Sequence, residues 1–196
     1  MKLLFASANQ GKVREVFKIF GDLNFELCSL VDFQDLKNLD LEETGNTFQE
    51  NAFLKAKFFA DKTNLQAFSD DSGLVIEALA GFPGIISGRW LQGTDADRNR
   101  GILSKLKNES NRAAAFVTTV CLYNPHNQQT HYFEGKVEGE IAIEQSGDAG
   151  FGYDPIFIPK GFDKTFGVLG LEIKNQLSHR SLALSKLKDF LENDLS

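Results

Sequence analysis

Asp70-Asp71-Ser72-Gly73 sets two carboxylates side by side after the apolar run Ala67-Phe68. Adjacent acids at the end of a strand repel each other unless a cation offsets them. Mg2+ suits such a pair, because it takes hard oxygen ligands and bridges one or two carboxylates to phosphates. Glu42-Glu43 is a second acidic pair, in a loop that also precedes a helix. An aspartate-capped turn and a solvated loop are the ordinary alternatives for the two pairs. Ser7-Ala8-Asn9-Gln10-Gly11-Lys12 lies between a short apolar run and an amphipathic segment. Such a turn offers backbone N–H groups and a cation at a helix start, a combination that grips phosphate. Capping of that helix by Ser7 or Asn9 explains the same residues, and the Walker A spacing is absent.

Three more clusters carry chemistry. At about 100° per residue, Phe48, Ala52 and Phe59 form a core-facing stripe on a helix from Thr47 to Asp61, and Lys55 falls within it. A lysine there snorkels, pairs with an acid or meets an anion, and Asn51 borders the same face. Gly150-Phe151-Gly152-Tyr153-Asp154-Pro155 flanks an aromatic with glycines, leaving Phe151 to stack on a flat ligand or to fill the core. Ser178-His179-Arg180 stands before a helix expected over 182–195. With Ser178 as N-cap, the two following cations oppose the helix dipole at a cost of ~0.3–1 kcal/mol each, tolerable on a surface and acceptable in a site that aims two donors at a carbonyl.

The elements that must position these residues read as one α/β domain. Strands are expected at 2–6 and 25–31, at 67–69 and again at 74–76, and at 113–123 and 129–144. Helices are expected after Lys12 and over 95–107, besides the two above. Helix-linked and hairpin-linked strands together imply a mixed sheet. A net charge of −6 argues against a broad nucleic-acid surface, and the chain has no apolar run near the ~20 residues of a membrane span. Cys28 and Cys121 lie far apart in apolar runs, as reduced core cysteines of a cytoplasmic protein do. The excess of Phe (18) over Trp (1) and Tyr (3) suits an aromatic core or an apolar interface.

Taken together, Ser7-x-Asn9-x-x-Lys12, Glu42-Glu43-Thr44-Gly45, Phe48-x-Glu50-Asn51-Ala52-x-x-Lys55-Ala56, Asp70-Asp71-Ser72-Gly73-Leu74, Pro83-Gly84-Ile85, Gly150-Phe151-Gly152-Tyr153-Asp154-Pro155 and Ser178-His179-Arg180 closely resemble the inosine triphosphate pyrophosphatase family. Ser87-Gly88-Arg89-Trp90 departs from the Ser-Ala-Arg-Tyr usual in that family, and the run from Leu171 to Asn175 follows its pattern only loosely. The resemblance implies a single domain over 1–196, with a long, twisted mixed sheet flanked by helices and two lobes around a cleft. It implies Mg2+-dependent hydrolysis of ITP, dITP and XTP to monophosphate and pyrophosphate, and a homodimer. Carried over to this chain, Glu43 and Asp71 hold the metal, and Asp71 accepts the proton of the attacking water. Ser7, Ala8, Asn9, Gln10, Gly11, Lys12 and Lys55 hold the phosphates, and Ser72 touches the substrate. Phe151 stacks on the purine, His179 and Arg180 donate to its 6-oxo group, and Gly152, Tyr153, Asp154 and Lys174 also bind the substrate. A phosphomonoesterase with an aspartyl nucleophile and a non-catalytic nucleotide-binding module are the competing functions.

Overall fold

The computed structural model describes residues 2–21, 26–37, 39 and 41–194. Along the chain run β1 (Lys2–Phe5), α1 (Gln10–Phe20), β2 (Glu26–Ser29), α2 (Phe48–Thr63), β3 (Gln66–Ile76), α3 (Asp95–Lys105), β4 (Ala113–Tyr123), β5 (Thr130–Ile141), β6 (Phe157–Pro159), α4 (Phe166–Leu177) and α5 (His179–Asp194). The strands form one sheet in the order β2-β1-β3-β4-β5-β6. β1 pairs in parallel with β2 and β3, whereas β5 and β6 are antiparallel, so the sheet is mixed. By contacts the chain forms two compact units, one from 1–71, 118–134 and 180–196 and the other from 72–117 and 135–179.

In the first unit, strand alternation assigns residues to two cores. Leu3, Phe5 and Phe68 meet Val16 and Phe20 of α1 and Leu184, Leu187 and Leu191 of α5. The intervening Leu4, Ala6 and Ala67 meet Ala52, Ala56, Phe59 and Ala60 of α2. Burial on both faces explains why β1 and the start of β3 read as continuous apolar runs rather than alternating ones. In the second unit, Leu74, Ile76, Ile102, Phe116, Ile141, Phe157 and Phe166 share one core. The phenylalanine excess fills these cores: Phe5 stacks on Phe68 with centroids 5.0 Å apart, and Phe116 lies 4.6 Å from Phe157.

Several boundaries differ from expectation. β3 is one eleven-residue strand, not two short ones, so Asp70 and Asp71 lie inside it and not at a strand end. Extended geometry passes through the acidic pair because its side chains find cations, as described below. The second strand covers Glu26–Ser29 and gives way to a 3-10 turn at Leu30–Asp32; Phe25 lies outside the described residues. α5 begins at His179 rather than Leu182, and Leu195 lies outside the described residues, as does Asp40 of the acidic loop. β6 and α4 were not anticipated. α4 contains Gly170 at φ +83°, ψ 172°, a break that interrupts its apolar period.

Candidate active site

Asp70 and Asp71 are consecutive residues of a strand, so their side chains leave opposite faces. Their mutual repulsion, expected to demand a shared cation, is therefore relieved by geometry. Asp70 lies on the Phe68 face. Its Oδ2 accepts from Lys12 Nζ of α1 at 2.9 Å and from Arg180 Nε of α5 at 3.0 Å. Arg180 Nη1 also reaches Glu15 Oε2 at 2.5 Å, and Glu15 sits one turn beyond Lys12 on α1. Arg180 and Asp70 are 3% and 2% exposed, so these are desolvated ion pairs. Burial alone raises the Asp70 carboxyl, but the charges of Lys12 and Arg180 overcome that and hold it well below the usual carboxylate range. Burial pushes the Lys12 ammonium down, despite the pull of Asp70.

Asp71 lies on the opposite face, toward α2, and is 5% exposed. Asn51 Nδ2 donates to its Oδ2 at 3.2 Å, and Lys55 Nζ lies 3.5 Å from its Oδ1. The same ammonium reaches Glu43 Oε1 at 2.6 Å. Of the three fates open to Lys55, the structure shows pairing with acids. Asn51 is fully buried and joins two segments, because its Oδ1 accepts the Gly45 N–H at 2.8 Å. A Cβ at Gly45 would stand 2.7 Å from that oxygen, so the acidic loop needs glycine for this approach. Burial and the Glu43 charge raise the Asp71 pKa, with Lys55 opposing. Burial lowers the Lys55 pKa, but Asp71 and Glu43 outweigh it and the net shift is upward.

The Ser7–Lys12 turn follows β1. Asn9 caps α1 by accepting the Lys12 N–H at 3.1 Å, and Ser7 Oγ accepts the Asn9 N–H at 3.2 Å. The capping alternative is thus realised. Helix geometry still leaves Gln10 and Gly11 N–H without intrahelical acceptors, and Ala8, Asn9 and Gln10 are exposed.

The second unit holds the aromatic cluster. The Phe151 N–H donates to Asp154 Oδ2 at 2.8 Å, and Lys174 Nζ reaches that same oxygen at 2.7 Å. Lys174 also lies 4.1 Å from the centre of the Phe151 ring, within cation–π range. Gly150, at φ +83°, allows this loop: a Cβ there would fall 2.0 Å from Asp154 Oδ2. The Tyr153 hydroxyl accepts from Trp90 Nε1 and donates to the Ser87 carbonyl, both at 2.7 Å. His179 stacks on Phe116 with centroids 4.8 Å apart, and His179 and Arg180 at the start of α5 are 4% and 3% exposed, so both are buried rather than on the surface as one alternative had it.

A family model described as the Ham1 family matches residues 3–190. The chain belongs to the Ham1 family. This bears out the resemblance drawn from the motifs. The chain is 40% identical to a dITP/XTP pyrophosphatase of Aquifex aeolicus, with 98% of each covered, and 43% identical to one of Porphyromonas gingivalis, with 97% of each covered. Its fold matches the Ham1 protein of Staphylococcus aureus at TM-score 0.87 and 40% identity over 99% of this chain and all of that one. A HAM1 protein of Coxiella burnetii matches at TM-score 0.89 and 38% identity, covering 98% and 99%.

Motif reading passed over Glu15, Asp95 and Asn99. Glu15 stands three residues after Lys12 on one helix face, a spacing that pairs side chains, and its charge at a buried position is the signal. Asp95 and Asn99 bond Gly152, more than fifty residues away, which local spacing does not reveal.

Proposed function

We propose that this chain hydrolyses dITP, XTP and ITP to the nucleoside monophosphate and pyrophosphate, cleansing the nucleotide pool. The Lys55 ammonium held between Glu43 and Asp71 carries the reading, because cation and carboxylates there serve opposite needs of a phosphate chain and its attacking water. The near full-length likeness to dITP/XTP pyrophosphatases supports it.

Charge balance tests the fit of Mg2+. Lys12, Lys55 and Arg180 face Glu15, Glu43, Asp70 and Asp71, a net single negative charge in the first unit. A triphosphate entering that field needs a further cation, and paired hard oxygens suit Mg2+ with substrate phosphate and water completing its shell. Glu43 and Asp71 would hold the ion. When bound, it neutralises phosphate oxygens and lowers the pKa of a water.

Lys12, Lys55 and the N–H groups at the start of α1 bind the phosphate oxygens, and Ser72 touches the substrate. Asn51 orients the Asp71 carboxylate, which takes the water's proton at an oxygen made more basic by burial. Phe151 stacks on the purine, with Gly152, Tyr153, Asp154 and Lys174 shaping its surroundings. His179 and Arg180 donate to the 6-oxo group. Adenine presents an amino donor there, and donor against donor rejects an analogue by ~10⁴-fold or more. The protein acts as a cytoplasmic homodimer on free nucleotides.

Pyrophosphate release across ITP, XTP, dITP, GTP, ATP and dUTP, with and without Mg2+, tests the proposal. Preference for the 6-oxo purines, lost on chelation, is the expected result. Equal rates on ATP, or orthophosphate as the product, would overturn it.

A further inference from the structure

The loop that carries Phe151 is tied to α3 through Gly152. The Gly152 N–H donates to Asp95 Oδ2 at 2.7 Å, and its carbonyl accepts from Asn99 Nδ2 at 3.0 Å. Asp95 and Asn99 are four residues apart on one helix, so their side chains share a face. Two bonds from one helix to both polar groups of a single residue fix where that residue lies and how it is turned. The constraint falls on Gly152 at φ +63°, where the backbone otherwise has wide freedom.

Asn99 is 1% exposed, and among the described residues its Oδ1 has no hydrogen-bond partner. Burying an amide with half its capacity unused costs stability that an apolar residue would not. The other end of the carboxamide holds the Gly152 carbonyl. Asp95 supplies the first turn of α3, where a carboxylate also suits the helix dipole.

We infer that Asp95 and Asn99 are positioning residues for base binding: by clamping Gly152 they hold Phe151 in the orientation that stacks on a purine. The inference rests on the proposed purine triphosphatase activity. Neither residue acts on the substrate itself; both act through the loop.

The test uses Asp95→Ala, Asn99→Ala and Asp95→Asn, the last keeping an acceptor oxygen for Gly152. Steady-state kinetics on dITP and dATP are combined with the inhibition constant of inorganic tripolyphosphate, which lacks a base. Loss of one such bond is expected to raise KM for dITP roughly ten-fold in each alanine variant. kcat and the tripolyphosphate constant stay near wild type, KM for dATP rises alongside that for dITP, and Asp95→Asn restores both. An unchanged KM for dITP, or an equal weakening of tripolyphosphate and dITP, overturns the inference. Should Asn99→Ala fail to fold, Asp95→Ala decides, since its side chain is 48% exposed and its exposed pairing with Arg98 contributes little.

Trp90, the sole tryptophan, gives a readout independent of activity, because its indole bonds Tyr153 in the same loop. Greater acrylamide quenching of Trp90 in Asp95→Ala than in Asp95→Asn supports the clamp. Equal quenching refutes it, even if the wild-type protein turns over no purine triphosphate and the proposed activity has failed on its own.

Discussion

Asp71 and Asp70 sit one residue apart in β3, and their surroundings push them in opposite directions. Burial and Glu43 raise Asp71, so it holds a proton more readily and serves better as an acceptor. Asp71→Asn keeps the shape and removes that function, and turnover is expected to fall by ~10²–10⁴-fold at saturating Mg2+. Near-normal turnover would remove Asp71 from both of its proposed roles. Asp70, held down by Lys12 and Arg180, acts on stability instead. Its carboxyl pKa is lower in the folded state than in the unfolded one, so its contribution is complete above the unfolded value of about 3.9 and fades as pH falls below it. Urea midpoints measured from pH 6 to pH 3 should therefore drop more steeply for wild type than for Asp70→Asn. Arg180→Ala removes one of the two cations at Asp70 and a buried partner of Glu15, a loss of about 3–5 kcal/mol in chemical denaturation. A small loss would mean that solvent or another cation neutralises them.

Among the elements, those with a clear apolar period were readable in advance. α2 follows from its stripe and from the Thr47 cap, whose side chain accepts the Glu50 N–H, and β4 from its long apolar run. β3 was divided because Asp70-Asp71-Ser72-Gly73 has the composition of a turn. The strand sends the two carboxylates to opposite faces, and cations supplied by α1, α2 and α5, distant in the chain, pair with them there. α4 escaped notice because Gly170 breaks its period. The site residues were legible by type and spacing, but their partners were not: Lys55 stood out as a cation on an apolar face, whereas the Glu15–Arg180 pair spans 165 positions. The Gly150–Pro155 loop depends on an element-scale constraint. Gly150→Ala forces a Cβ into a positive-φ site against Asp154, with an expected loss of ~1–3 kcal/mol. Calorimetry should show the lowered transition, and kinetics a raised KM for dITP through displacement of Phe151. An unchanged KM would show that the loop relaxes without moving the aromatic.

At the scale of the molecule, an acidic protein of net charge −6 can bind a polyanion where it concentrates its cations. Lys12, Lys55 and Arg180 gather in the first unit, each already paired with a carboxylate, so that none adds an unbalanced charge to the core. The second unit carries Phe151 on a loop tethered to α3, Trp90 and Ser87. In the proposed function Lys12 and Lys55 take the phosphates, and Phe151, His179 and Arg180 take the base. The most direct test of this account is the product stoichiometry from dITP, resolved chromatographically during single turnovers with Mg2+. The account predicts one dIMP and one pyrophosphate per dITP consumed. Accumulation of dIDP with orthophosphate would contradict it.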